Sequence, residues 1–87
     1  MTTYERVAGA AEATVDGEVI LLSPMDLSYH SLDRVGARVW EILATPTTDD
    51  DLIAVLTSEF DVSDEVCRAD VTVFLERMID IGVLRVS

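Results

Sequence analysis

The sequence predicts an α+β fold, a three-stranded antiparallel N-terminal sheet followed by three helices. Three observations carry this. Asp16-Gly17 separates two short β-type runs, the apolar spacing changes from a period of two to one of about 3.6 near Leu32, and each later apolar-periodic segment opens on a capping residue. With 87 residues the chain forms a single domain, 1–87, with one core. A domain of this size buries only about 60% of its unfolded surface, which leaves it marginal in stability.

The elements follow in order. Residues 1–10 carry no strong period, and Ala8-Gly9-Ala10-Ala11 suggests a loosely ordered lead-in. Strands are predicted over 12–15 and 18–22, because Asp-Gly supplies the positive φ angles that a two-residue hairpin turn requires. The second of these, Glu18-Val19-Ile20-Leu21-Leu22, has four consecutive aliphatics, so both of its faces need cover. Ser23-Pro24 breaks it, since proline cannot donate to a ladder, and the alternation that follows predicts a third, half-buried strand over 26–31. That strand lies at the edge of its sheet. Its unpaired N–H and C=O groups are a template for an incoming peptide.

The first helix is predicted over 33–44. Leu32, Val35, Val39, Ile42 and Leu43 share one side of it, and Asp33 caps its first N–H groups. Gly36 inside it costs about 1 kcal/mol against Ala, which makes sense if a ring or backbone lies close. Trp40, the only tryptophan, marks the centre of the core and is the obvious neighbour. Pro46 ends the segment. Thr47-Thr48-Asp49-Asp50-Asp51 then resembles a helix start, with a Thr cap and carboxylates at the positive end of the dipole, for a second helix over 48–59 that buries Leu52, Val55, Leu56 and Phe60. As a calcium loop the Asp run fails, because no further acidic ligand or Gly follows at the required spacing.

Ser63 caps a third helix over 63–81, closed by Gly82. Cys67, Val71, Phe74, Leu75, Met78 and Ile81 share the broad stripe that must face the core. Val66, Ala69 and Val73 form a second, narrower apolar stripe, flanked by Asp70, Glu76, Arg77 and Asp80. An apolar stripe beside an open strand edge is what a peptide groove requires. Val83-Leu84-Arg85-Val86 either adds a terminal strand or trails against the core.

Charge and chemistry narrow the function. Seventeen acidic residues against six basic ones give a net charge of -11, which repels nucleic acid and anionic membrane and attracts cationic peptides. The sheet-plus-three-helix order is similar to a winged helix-turn-helix, yet six basic residues with no Arg/Lys-rich helix cannot supply the phosphate contacts of a DNA-binding protein. Cys67 is alone, so no intramolecular disulfide forms and a cytoplasmic setting follows. No signal pattern and no membrane-length apolar run occurs. His30 and Cys67 fall on different elements and have no partner at catalytic spacing, so the chain is not expected to be an enzyme. There is no Cys/His cluster for a metal and no Gly-rich phosphate loop for a cofactor.

The pattern Tyr29-x-x-Leu32-Asp33-x-x-Gly36-Ala37-x-Val39-Trp40-Glu41-Ile42-Leu43 resembles the "Leu-Asn, Gly, aliphatic-Trp-x-Leu-Leu" signature of the PqqD-like proteins. These are the recognition elements of ribosomally made, post-translationally modified peptide (RiPP) pathways. Val71-x-x-Phe74-Leu75-x-x-Met78-x-x-x-Gly82-Val83-Leu84 is similar to the family's closing helix and end, while Ala44-Thr45-Pro46 replaces the Asp-Gly often found after the Trp helix. The resemblance implies a non-catalytic adaptor that binds the leader segment of a precursor peptide by β-strand addition and presents it to a processing enzyme. Carried onto this sequence, the strand partners are Asp26, Leu27, Ser28, Tyr29, His30 and Ser31. The helix contacts are Val66, Ala69, Asp70, Val73 and Arg77, with Asp70 facing a basic leader residue. A free-standing unit of this size is most similar to the recognition proteins of lasso-peptide pathways, which work with a separate cysteine protease. Stand-alone units that serve radical enzymes stay open as an alternative. A rival of another class is an acyl or peptidyl carrier, since Ser31-Leu32-Asp33 looks like the carriers' Asp-Ser-Leu motif. His30 stands where that motif has Asp, and the hairpin falls where carriers place a long helix.

Overall fold

A computed structural model describes residues 2–87. Asp16 and Gly17 both take positive φ, 52° and 81°, and close a tight hairpin between β2 (Ala11–Val15) and β3 (Glu18–Leu22). β4 (Tyr29–Leu32) pairs antiparallel with β3 to complete a sheet of order β2-β3-β4. Three helices follow, α1 (Arg34–Ile42), α2 (Asp49–Glu59) and α3 (Asp64–Asp80). Each has the N-cap its sequence suggests. Asp33 Oδ1 accepts from Gly36 N–H at 2.7 Å, Thr48 Oγ1 from Asp51 N–H at 3.2 Å, and Ser63 Oγ from Val66 N–H at 3.2 Å.

A second antiparallel sheet is present that the sequence did not announce. β1 (Thr3–Arg6) lies between β5 (Thr47–Thr48) and β6 (Leu84–Val86). The lead-in expected to be loose is therefore a central strand. Tyr4 pairs with Thr47 on one side and Val86 on the other, and Glu5 accepts from Arg85 Nε at 2.5 Å across the second pairing. A four-residue strand held by partners distant in sequence has too few residues to show a period.

The third strand also starts later than expected, at Tyr29 and not 26. Residues 24–28 form a loop in which the Asp26 carboxylate accepts from the Ser28 N–H at 3.0 Å and the Ser28 hydroxyl at 2.7 Å, while Leu27 sits at φ 60°. That local Asx-type turn competes with the ladder and wins.

The core lies between the first sheet and the helices, around Leu21, Val39, Trp40, Leu43, Leu52, Leu56, Val71, Leu75 and Met78. Trp40 is 2% exposed. The Arg6 guanidinium stacks over its ring at 4.2 Å and donates from Nε to its carbonyl oxygen at 3.1 Å, tying β1 to α1. The neighbour of Gly36 is Phe74, not Trp40. A Cβ at Gly36 would stand 2.9 Å from the Phe74 ring, so the glycine is what lets α3 approach α1. Phe74, assigned by its spacing to the core, is only half-buried.

Candidate peptide-binding site

β4 is an edge strand, and its hydrogen-bonding phase can be worked out. Ser23 N–H donates to the Ser28 carbonyl at 2.9 Å, so that pair is of the hydrogen-bonded kind. Antiparallel pairs alternate. His30 (opposite Leu21) and Leu32 (opposite Val19) then bond to β3, and Tyr29 and Ser31 turn their N–H and C=O groups to the open side.

The strand is fastened to α3 at both ends. At one, Ser23 Oγ donates to the Ile81 carbonyl at 2.6 Å and Met25 packs over Gly82, which has a φ of 84° and where a Cβ would stand 2.6 Å from the Met25 sulfur. At the other, β4 leads through Asp33 into α1, whose Gly36 rests on Phe74 of α3. Between these anchor points no hydrogen bond or ion pair joins β4 to α3 among the described residues. A groove of about 230 Å³ opens where α1 meets α3, floored by Val35, Gly36 and Val39 on one side and Asp70, Val71 and Phe74 on the other.

The residues singled out from sequence fall on two stretches of the chain, and of them only Asp70 lines this groove. Asp26, Leu27 and Ser28 lie in the loop before β4, and Tyr29, His30 and Ser31 on β4 itself. Val66, Ala69, Asp70, Val73 and Arg77 are exposed along α3, Val66 at 51% and Val73 at 63%. Arg77 has no carboxylate within ion-pair distance among the described residues, whereas Arg6 and Arg85 each have one and Arg38 and Arg68 each have two. Sequence spacing missed Val35, Gly36 and Phe74. The intrahelical glycine was their only signal, and it needed the contact with Phe74 to be interpreted.

His30 is half-buried, with Nε2 2.8 Å from Ser28 Oγ, which in turn donates to Asp26. The two bonds from Ser28, side chain first and then backbone, hold the Asp26 carboxyl below the ordinary range. Cys67 is buried, and desolvation pushes its thiol up. Ser31 sits inside β4 opposite Ile20, not at a helix start, so the carrier alternative loses its geometry.

A larger cleft, of about 780 Å³, lies behind the sheet between the β2–β3 hairpin and α1. Its charges largely satisfy one another, Arg6 with Glu12 at 3.4 Å and Arg38 with Glu59 at 2.7 Å, while Arg34 stacks over Phe60 at 5.2 Å. No cluster of three metal-ligating side chains occurs among the described residues, and none of the described helices is long and apolar enough to cross a membrane.

The family model described as coenzyme PQQ synthesis protein D (PqqD) matches residues 18–84, from the start of β3 into β6. The chain belongs to the PqqD family. Among solved structures this PqqD-family chain is similar to TbiB1 in complex with the TbiA(beta) leader peptide, with a TM-score of 0.83, 25% identity, and 93% of this chain and 94% of that one covered. It has the same fold as a lasso peptide synthetase B1 complexed with the leader peptide, with a TM-score of 0.82, 20% identity and 94% and 96% covered. It also shares the fold of the PqqD truncation of Methylobacterium extorquens PqqCD, described as a stand-alone RiPP recognition element, with a TM-score of 0.78, 18% identity and 95% and 88% covered. A search of curated proteins finds no match. The PqqD match begins at β3, so β1 and β2 lie outside it.

Proposed function

We propose that this PqqD-family protein binds the leader segment of a ribosomally made precursor peptide as an added strand on β4. It acts without catalysing, and presents the bound leader to a separate processing enzyme in the cytoplasm. What supports this reading is an open strand edge on β4 together with an exposed apolar face on α3, in a chain where Ser23, before β4, is bonded to Ile81 at the end of α3. The backbone groups of Tyr29 and Ser31 are unpaired, and Val66 and Val73 remain uncovered on α3. Main-chain bonds from an incoming strand provide affinity, and pockets for alternate side chains provide specificity. The likeness to TbiB1, whose structure holds a leader peptide, supports the same reading.

In this reading Asp26, Leu27 and Ser28 guide one end of the leader, and Tyr29, His30 and Ser31 supply the strand. Val66, Ala69 and Val73 take up its apolar side chains, joined by Val35 and Phe74 at the groove floor. Asp70 pairs with a basic leader residue, and Arg77 is free to accept a carboxylate. The enzyme served is a lasso-pathway cysteine protease, with a radical enzyme of another RiPP pathway as the competing partner.

The test is a calorimetric titration with the leader peptide encoded beside this protein, at low and moderate salt. Saturable one-to-one binding at micromolar or lower concentration is expected, weakening with salt because the net charge of -11 attracts a basic leader. Absence of binding at both salts rejects the proposal. A protease assay distinguishes the two enzymes: leader cleavage by the pathway's cysteine protease should accelerate when this protein is added, and an unchanged rate points to the radical enzyme.

A further inference from the structure

The cleft between the β2–β3 hairpin and α1 collects three of the chain's six basic residues, Arg6, Arg34 and Arg38, in a molecule of net charge -11. β2 is turned to suit it. Directly paired residues of antiparallel strands share a face, so Glu12 and Thr14, opposite Leu21 and Val19, lie on the same side as the buried Leu21. A sheet packed on a core ordinarily turns apolar side chains inward and polar ones to water. Here the inward pair is polar, and both residues line the cleft. A space of about 780 Å³ with such walls suits a polar occupant the size of a short peptide segment.

Two of the three arginines are committed. Arg6 stacks on Trp40 and reaches Glu12, and Arg38 forks onto Glu59, with Nε and Nη2 both at 2.7 Å from a carboxylate oxygen. Arg34 is not. It has no carboxylate within ion-pair distance among the described residues, and its guanidinium rests over Phe60 at 5.2 Å, at the cleft wall. An arginine stacked on an aromatic ring with its N–H fork unused is a receptor for a carboxylate.

Continuity identifies the ligand. β4 ends at Leu32, and Asp33, the next residue, borders both this cleft and the groove between α1 and α3. A peptide strand added to β4 that runs past Leu32 arrives at this divide, beside Arg34. We infer that the precursor peptide continues beyond its β4 strand, over the start of α1 and into the cleft, where one of its carboxylate side chains pairs with Arg34. This rests on the leader-binding reading above. The acidic residue is a second recognition element, separate from the basic one that Asp70 takes. On a surface that otherwise repels carboxylates, it also fixes where that part of the precursor lies.

The experiment compares two probes by calorimetry, the full precursor encoded beside this protein and the shortest leader segment that still binds saturably. The full chain is used as the parent, as Arg34→Glu and as Thr14→Trp. Arg34 is the first residue of α1, where the helix dipole favours an anion, so the first change spares the fold. Thr14 is an exposed strand position from which an indole fills the cleft. The inference expects the precursor to bind the parent at least fivefold tighter than the segment does. Both variants should lose that advantage while binding the segment within twofold of the parent. Converting the precursor's acidic residues outside the segment to their amides should remove the same advantage, with no further effect in Arg34→Glu. Trp40 is the sole tryptophan, and its buried indole N–H has no hydrogen-bond partner among the described residues. Its single resonance should shift with the precursor and not with the segment. Equal affinities for the two probes, or an advantage that survives both variants, overturn the inference and leave the leader reading standing. Failure of the parent to bind the segment removes both.

Discussion

Val73→Asp separates the groove from the core more sharply than any other single change. Val73 keeps 63% of its surface exposed. Since full burial of a valine contributes about 1.5–3 kcal/mol, covering the remaining surface with a leader side chain is worth about 1–2 kcal/mol. Aspartate forfeits that and adds about 1–3 kcal/mol for a polar group left without a partner in an apolar contact. The sum, about 2–5 kcal/mol, raises the leader Kd by a factor of about 30 or more. The fold should respond little, because the side chain keeps most of its surface in solvent and Val and Asp have similar helix propensities. A change within about 0.5 kcal/mol shifts the midpoint of a domain this size by no more than about 4 °C. Titration calorimetry with the leader, alongside thermal melting followed by circular dichroism, measures both quantities. Leader binding at the parental affinity would remove α3 from the site and refute the assignment of its second stripe.

Other changes probe the groove floor and the titratable groups. Phe74→Asp should lower stability and leader affinity together, because the ring both packs on Gly36 and lines the groove; a variant that melts like the parent would deny the ring its packing role. Gly36→Ala gains about 1 kcal/mol of helix propensity, yet its Cβ meets the Phe74 ring at 2.9 Å and the capping Asp33 oxygen at 3.1 Å. Overpacking costs about 1–3 kcal/mol, so a net loss in denaturant titration is expected, and a gain would show that the helices separate freely. The raised Cys67 thiol stays protonated and shielded at neutral pH, so a disulfide-exchange reagent should react on the order of 100-fold more slowly with native than with urea-unfolded protein. Comparable rates would mean that the helix face opens. Asp26 titrates below its ordinary value in the folded chain, so its loop is held in place above the carboxylate range, and that order is lost as pH falls through the lowered folded value. The Ser28 amide resonance should follow this titration, and a midpoint at or above that of a free aspartate would contradict the two hydrogen bonds.

Local chemistry made half of the fold legible. Asp16-Gly17, the caps Asp33, Thr48 and Ser63, and the stop at Gly82 act within a few residues of themselves, so short-range rules find them. β1 and β5 escaped, and β6 was left as one of two readings, because strands of two to four residues have no measurable period, and their partners lie some 40 or 80 positions away in the chain. Asp26 misled for the opposite reason: alternation suggested a strand, and one carboxylate turned the chain into a loop. In the candidate site the exposed stripe of α3 could be read from spacing, because periodicity reports which residues avoid the core. Where the groove is floored depended on the approach of Phe74 to Gly36, a contact between helices that one-dimensional spacing does not encode.

The position of β1 between β5 and β6 has a consequence for how the chain folds. Thr3–Arg6 leaves the ribosome before the other strands and helices, yet the strand it pairs with most extensively ends at Val86. The β2–β3 hairpin and the helices can form as soon as they emerge, on timescales of microseconds, whereas β1 waits until β6 has been synthesised. Closing so long a loop is entropically unfavourable until the rest of the domain has already brought its ends together. The β5-β1-β6 sheet is therefore the last part of the molecule to assemble. In native-state hydrogen exchange it is where the order in which the amides open should record the order in which the chain was built.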